Sequence, residues 1–396
     1  MTELIPIAAF WLCASVLFYT FAGYGLHISL LARWHPRPDR AAPTAHAPEV
    51  CVVLVAHNEE ARIVPRLENL LASDYPPEKL RVLVVSDGST DATVARIEAL
   101  RDPRIAVLAR PERGGKAACL NAGLAQSAGE IIVLADARQR FAADAIARLA
   151  AHFADAEIGA VSGALEIERS GSSTGAGVDA YWRYEKRLRA AESRLDSCIG
   201  CTGAVYAIRR ALFTPIPADT ILDDVVIPMQ IAVRSHRVLF DTDARAFDPQ
   251  PLEPAAERIR KRRTLAGNYQ MLFRYPGWLL PWRDRLWWQL LAHKYLRILA
   301  PAFLLGVFVA NLLLLGHPLY RVTFAGQCVF YILAALGSAF PQLKARVFSL
   351  PAGFVFLNLT SVRALLHYLT SADLHRWGSV AGASSRGSKS HGEAAK

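Results

Sequence analysis

Long apolar stretches at both ends and an alternating middle organise the chain. Residues 4–33 (LIPIAAFWLCASVLFYTFAGYGLHISLLAR) hold no charge between Glu3 and Arg33, which is enough to cross the ~30 Å hydrocarbon core of a bilayer. Three further apolar runs, 298–315, 322–340 and 347–369, follow near the other end, the last interrupted by Arg363. All four predict membrane helices. A cleavable leader fits the first run poorly, because no basic segment precedes it and it exceeds the ~7 to 15 residues of a leader's apolar region.

The middle has a different rhythm. VCVVLVA (50–56), LRVLVVS (80–86), RIAVLAR (104–110) and EIIVLAD (130–136) are short continuous apolar runs, each followed by a helical pattern: through Ile63, Leu67 and Leu70, over 91–100, over 116–127 and over 142–153. Unbroken Val, Ile and Leu runs joined by helical crossovers predict a parallel sheet buried on both faces. Ligands bind such sheets at the carboxyl ends of the strands.

The resulting division is a membrane helix over 1–33, a Pro- and Ala-rich linker over 34–48, an α/β domain over 49–275, an interfacial helix over 276–297, membrane helices over 298–370 and a disordered tail over 371–396. The interfacial assignment rests on Trp278, Trp282, Trp287 and Trp288 interleaved with Arg283, Arg285, Lys294 and Arg297, a mixture suited to the headgroup layer.

Composition agrees with this division. Hydrophobic residues make up 53% of the chain, and the excess lies in the four runs. The net charge of +10 does not point to nucleic acid, because the basic residues flank apolar runs: Arg33, Arg37 and Arg40 after the first, Lys344 and Arg346 between the last two. That asymmetry predicts a multi-pass protein of the cell (inner) membrane with the α/β domain in the cytoplasm. With four crossings the basic tail (Arg376, Arg386, Lys389, Lys396) falls outside, against the same rule, so the number of crossings stays open. The one CxxC, Cys198 to Cys201, has no second pair or histidines to complete a zinc site and reads as free thiols.

Polar chemistry collects at the predicted strand ends. The first strand ends in Ala56, His57, Asn58 and Glu59; the second in SDGSTD with Asp87; the third runs on to RGGK with Lys116; the fourth ends in Asp136. Each also has a bland reading, as turn residue, solvated lysine or helix cap. Nucleotide-binding fingerprints fail here: no GxGxxG follows a strand, and Gly115-Lys116 lacks the first glycine and the Ser or Thr of a P-loop.

Taken in order, these motifs resemble the glycosyltransferase family 2 group, membrane-embedded and inverting, related to cellulose, chitin, hyaluronan and poly-N-acetylglucosamine synthases. The resemblance covers roughly 48–275. It implies a nucleotide-sugar-binding, Rossmann-like (GT-A type) mixed, mostly parallel sheet with flanking transmembrane helices. It also implies a hexosyltransferase that moves a sugar from a nucleoside-diphosphate sugar, a UDP-sugar ahead of a GDP-sugar, to a glycan or lipid-linked acceptor in surface polysaccharide synthesis. Donor-binding residues would be Ala56, His57, Asn58, Glu59, Asp87, Lys116, Asp136 and Arg263. GCTGAVYAIRR resembles the acceptor segment, with Thr202 and Gly203 near the acceptor sugar. Asp223-Asp224 stand where the family has its Glu-Asp pair, so Asp224 would be the catalytic base and Asp223 an acceptor contact.

LADAR resembles the metal-binding Asp-x-Asp, which would place a divalent cation, Mg²⁺ or Mn²⁺, on Asp136. Arg138 replaces the second carboxylate. Against the Gln-x-x-Arg-Trp of processive members, the chain reads Arg260, Arg263 and Thr264, keeping only the arginine. The alternatives are single-sugar transfer to a polyprenyl-phosphate carrier and a catalytically inactive membrane partner of a synthesis complex.

Overall fold

The structure, a computed structural model, describes residues 3–39, 47–167, 176–248, 254–340, 342–343 and 345–371. The expected tail beyond Ser371 and residues 40–46 of the expected 34–48 linker lie outside the described residues. The chain divides into an α/β unit drawn from 38–172 and 196–259 and a helical unit drawn from 1–37, 173–195 and 260–371.

The α/β unit is built on an eight-stranded sheet. In chain order its strands are β1 (Val50–Ala56), β2 (Leu80–Asp87), β3 (Ile105–Arg110), β4 (Ile131–Asp136), β5 (Arg140–Phe141), β6 (Ile158–Ile167), β7 (Val205–Arg209) and β8 (Arg237–Asp248). Their spatial order is β3-β2-β1-β4-β7-β6-β8-β5. β1, β2, β3 and β4 are parallel, whereas β7 runs antiparallel to both β4 and β6. The sheet is therefore mixed and mostly parallel on its first side.

All seven residues of β1 are buried, as an apolar run without alternation requires. Five helices cover the sheet: α1 (Ile63–Leu71), α2 (Thr93–Ala99), α3 (Lys116–Gln126), α4 (Ala145–Ala151) and α5 (Asp223–Val233). Ile63, Leu67 and Leu70 of α1 join Ile146 and Leu149 of α4 against Val52, Leu54 and Val133 in one core. α3 lies on the other face, where Gly123 faces Val53 and Val85. After β1 the chain builds β2 and β3 to one side and then crosses back to β4 on the other. Such a reversal opens a crevice at the strand ends, here between Ala56 and Asp136.

Among the described residues of the helical unit, four helices are long and apolar enough to cross a membrane: Leu4–Trp34, Trp287–Leu313, Pro318–Ala339 and Arg346–Thr370. Large apolar side chains such as Ile5, Leu12, Phe18, Leu313 and Val322 are exposed on them, an arrangement suited to lipid rather than water. Polar side chains pair inward. Asn311, fully buried, donates to Gln327 and accepts from Thr323 at 3.1 and 2.7 Å.

The single interfacial helix expected over 276–297 is replaced by a 3-10 turn, Pro276–Leu279, and a helix that starts only at Trp287 and continues to Leu313. The reason is local. Pro281 has no N–H to give to a helix, and the Asp284 carboxylate accepts the Leu286 N–H at 2.9 Å, starting the helix afresh after it.

A second, polar helix, Ala176–Leu195, is fastened to the membrane helices by charge. His293, wholly buried, holds Glu192 Oε1 at 2.8 Å through Nδ1 and Glu185 Oε1 at 2.5 Å through Nε2. Tyr24 donates to the same Glu192 oxygen at 2.6 Å, and Arg297 reaches Glu185 at 3.0 Å. Paired in this way, Glu185 is held well below the usual carboxylate range: its burial opposes the ionised form, but the charges of His293 and Arg297 outweigh it.

Candidate active site

The first two strand exits are knitted together. Asn58 adopts the left-handed region at φ 54°, which asparagine tolerates better than most residues. Its N–H donates to Ser89 Oγ at 3.1 Å and its Oδ1 accepts the Thr90 N–H at 2.9 Å. The Glu59 N–H donates to Thr93 Oγ1 at 2.8 Å, and His57 Nδ1 donates to the Asp87 carbonyl at 2.7 Å. Ala56 is fully buried at the end of β1. The segment 56–59 thus shapes one wall of the crevice chiefly through backbone and loop-to-loop bonds.

The Asp87 side chain faces inward. It is fully buried, and its carboxylate accepts the Gly114 N–H at 2.7 Å and the Gly115 N–H at 3.1 Å. Gly115 has φ 84°, a conformation only glycine adopts cheaply, and it delivers the chain into α3 at Lys116. As placed, Asp87 fixes the loop that launches α3 rather than presenting an open acceptor at the rim.

Lys116, the first residue of α3, reaches across to β4 and α5. Its ammonium donates to Asp136 Oδ1 at 2.9 Å and lies 3.3 Å from Asp223 Oδ2. Burial alone would lower its pKa, yet Asp136 and then Asp223 hold it well above the ordinary value. Asp136 is braced from behind by Arg66 of α1, whose Nε donates to its carbonyl at 3.2 Å while the guanidinium stacks 4.3 Å over the Phe141 ring. Sequence reasoning passed over Arg66; an arginine on the apolar stripe Ile63, Leu67, Leu70 was the available signal.

Arg138, left open by the sequence, pairs with Asp248 Oδ1 at 2.6 Å, and Gln139 donates to the other oxygen of the same carboxylate at 3.2 Å. The position that would carry a second metal-ligating carboxylate therefore ties β8 to the β4–β5 turn.

Asp223 and Asp224 open α5, where the helix N-terminus favours carboxylates. Beside them lies the predicted acceptor segment. The Asp224 carbonyl accepts the Cys201 N–H at 2.7 Å, and the Thr202 N–H donates to Ser162 Oγ at 2.8 Å. A Cβ on Gly203 would come 3.0 Å from Asp224 Oδ2, so glycine leaves room for the carboxylate. Tyr206 on β7 is the other residue missed: it is fully buried, and among the described residues its hydroxyl has no hydrogen-bond partner. Burial first, then the charges of Asp223 and its neighbours, raises this phenol well above its usual range.

The structure therefore brings Lys116, Asp136, Asp223 and Asp224 together, with Thr202 and Gly203 adjoining. Arg263 lies on the helix Pro254–Arg274, in the part of the chain that belongs to the helical unit. All six cysteines are free thiols, with Cys198 and Cys201 buried.

Whether these residues fit a divalent cation turns on Asp136. Among the described residues no group of three or more His, Cys, Asp or Glu is arranged to hold a metal. Asp136 offers one carboxylate, its side chain 38% exposed, with Oδ1 already on Lys116. This fits a cation held chiefly by phosphate oxygens, as Mg²⁺ often is, with one protein ligand.

Residues 51–214 match the Glycosyl transferase family 2 model. An N-acetylglucosaminyltransferase of Rhizobium meliloti is 34% identical over 174 residues, covering 42% of this chain and 41% of that relative. A beta-monoglucosyldiacylglycerol synthase of Synechocystis is 26% identical over 301 residues, covering 70% of this chain and 62% of the relative. The chain thus spans less than two thirds of either relative's length. The solved mannosyltransferase PcManGT of Pyrobaculum calidifontis, in complex with GDP-Man and Mn²⁺, superposes with a TM-score of 0.68 at 24% identity, covering 93% of this chain and 99% of that one. The fold is GT-A-like.

Proposed function

Because residues 51–214 form a glycosyl transferase family 2 domain, we propose that the chain transfers a hexose, with inversion, from a nucleoside-diphosphate sugar to a glycan or lipid-linked acceptor at a membrane. One observation carries the reading: Lys116, Asp136, Asp223 and Asp224 converge at the ends of β4 and α5, beside Thr202 and Gly203. A crevice at a strand reversal with a lysine and a helix N-terminus at its rim suits a diphosphate. A carboxylate against an open glycine suits a base.

In this mechanism the 56–59 and 87–91 loops form the wall against the nucleotide, and Asp87 keeps the Gly114-Gly115 turn in place so that α3 presents its N-terminus and Lys116 to the diphosphate. A bound divalent cation on Asp136 would offset the charge growing on the leaving group. Asp224 takes the proton from the acceptor hydroxyl as that oxygen attacks the anomeric carbon opposite the diphosphate. Asp223, held by Lys116, fixes the start of α5 and so the aim of Asp224. The exposed apolar helices support a reaction at a membrane, and the basic residues that flank them favour its cytoplasmic face.

A second reading is transfer of a single sugar to a lipid carrier. It is favoured by the glucosyldiacylglycerol synthase likeness over 70% of this chain and by Thr264 standing where processive members have tryptophan. The test is a panel of UDP- and GDP-sugars offered to detergent-solubilised protein with Mg²⁺, Mn²⁺ or chelator. Released nucleoside diphosphate identifies the donor; product mass distinguishes a ladder from one added sugar. No release from any donor, with lipid and glycan acceptors both supplied, would overturn the proposal.

A further inference from the structure

Resting on the donor-site reading above, we propose that Lys116 is an internal counter-ion occupying Asp136 in the ligand-free protein, so that a divalent cation takes Asp136 only together with a nucleoside diphosphate. Lys116 sits at the N-terminus of α3, where the helix dipole disfavours a cation. It is held there by Asp136 at 2.9 Å and Asp223 at 3.3 Å. Asp224 adds to the same field. Without the ammonium, three carboxylates would share the end of one crevice.

A cation seeking Asp136 therefore meets a carboxylate already neutralised. A second carboxylate at position 138 would tip the competition towards the metal, but Arg138 stands there and is itself committed to Asp248 at 2.6 Å. An arriving diphosphate changes the balance from the other side: it gives the ammonium a new anionic partner and brings its own oxygens to the cation. Two further buried polar atoms lie near the cluster. Among the described residues, the fully buried Tyr206 hydroxyl has no hydrogen-bond partner, and Asp223 Oδ2 has none beyond the lysine's charge. Lys116 would thus impose an order, with nucleotide and cation entering as one charge-balanced unit.

The experiment is Mn²⁺ binding to the full chain in detergent, read by electron paramagnetic resonance, with and without UDP or GDP. If Asp136 is released in only about a tenth of nucleotide-free molecules, its apparent affinity for Mn²⁺ is lowered about tenfold. Lys116→Gln should therefore bind Mn²⁺ without nucleotide about tenfold more tightly than wild type, and adding Asp136→Asn should erase the gain. Lys116→Arg, which keeps the charge, should stay near wild type and controls for misfolding. Equal nucleotide-free affinity in wild type and Lys116→Gln would overturn the proposal, as would tight wild-type Mn²⁺ binding indifferent to nucleotide. If neither UDP nor GDP binds any variant, the donor-site reading fails, while the nucleotide-free arm still decides whether the lysine excludes the cation.

Discussion

Lys116 in the α/β unit and His293 in the helical unit each stand between two carboxylates, yet they differ in what can reach them. Lys116 joins Asp136 and Asp223, and the Asp136 side chain is 38% exposed. His293 joins Glu185 and Glu192, and both His293 and Glu192 are at 0%. An accessible pair can trade one partner for an incoming anion at modest cost. A sealed pair cannot, because separation leaves charge stranded in a low dielectric. Access, more than composition, separates a working contact from a fastening.

The comparison breaks most visibly at the open cluster. Asp224→Asn should lower kcat by roughly 10²- to 10⁴-fold, the usual share of a positioned base, while nucleoside diphosphate affinity stays within about twofold. Undiminished turnover would remove Asp224 from its role. At the sealed clamp the loss should be structural. Glu192→Ala strands His293 and the Tyr24 hydroxyl, which should cost ~3–5 kcal/mol, seen as a large fall in apparent Tm in detergent. A shift no greater than that of a surface substitution would mean the clamp holds nothing.

A third sandwich, His152 between Asp39 and Asp241, lies between these extremes and sharpens the scale. Burial lowers its pKa, but its hydrogen bonds to Asp241 and Asp39 prevail and raise it to about 9. Because the folded value exceeds the unfolded one, near ~6.5, its stabilisation is complete below that pH and is lost as pH rises through about 9. At most ~3 kcal/mol is involved. The Tm difference between wild type and His152→Gln should therefore shrink between pH 6 and pH 10, and a constant difference would refute the pairing. The smallest effect expected is that of Gly203→Ala. Its Cβ would lie 3.0 Å from Asp224 Oδ2 and should cost about tenfold in kcat by misaiming the carboxylate, with thermal stability little changed. An unaltered kcat would show that Asp224 does not depend on that opening.

The parallel half of the sheet is legible in the sequence because β1, β2 and β4 are buried on both faces, and burial writes itself as unbroken Val, Ile and Leu. β6 and β7 carry no such mark of direction. That β7 opposes β4, with Leu134 facing Tyr206, follows from where the chain returns, which no local pattern records. The site divides in the same way. Asp136 and Asp224 stand out as acids at the ends of elements, but the lysine that links Asp136 to Asp223 does so across a distant loop. Asp87 is conspicuous in the sequence at the end of a strand, but its partners, the Gly114 and Gly115 amides, are found only in three dimensions. Arg138 was undecidable because Asp248 lies at the far end of the domain's sequence.

The passage of the chain between β6 and β7 has a practical consequence. After Ile167 the polypeptide leaves the sheet, contributes Ala176–Leu195 to the helical unit, and returns to the sheet at Val205. A truncation trimmed to residues 49–275 would carry that helix along without the clamp's other half. Glu185 and Glu192 would lose His293 and Arg297 and stand unneutralised beside an apolar stripe that includes Leu188 and Ala191. Material made that way is expected to aggregate through the stranded helix, whereas a version that replaces 168–195 with a short polar connector should be the more soluble product.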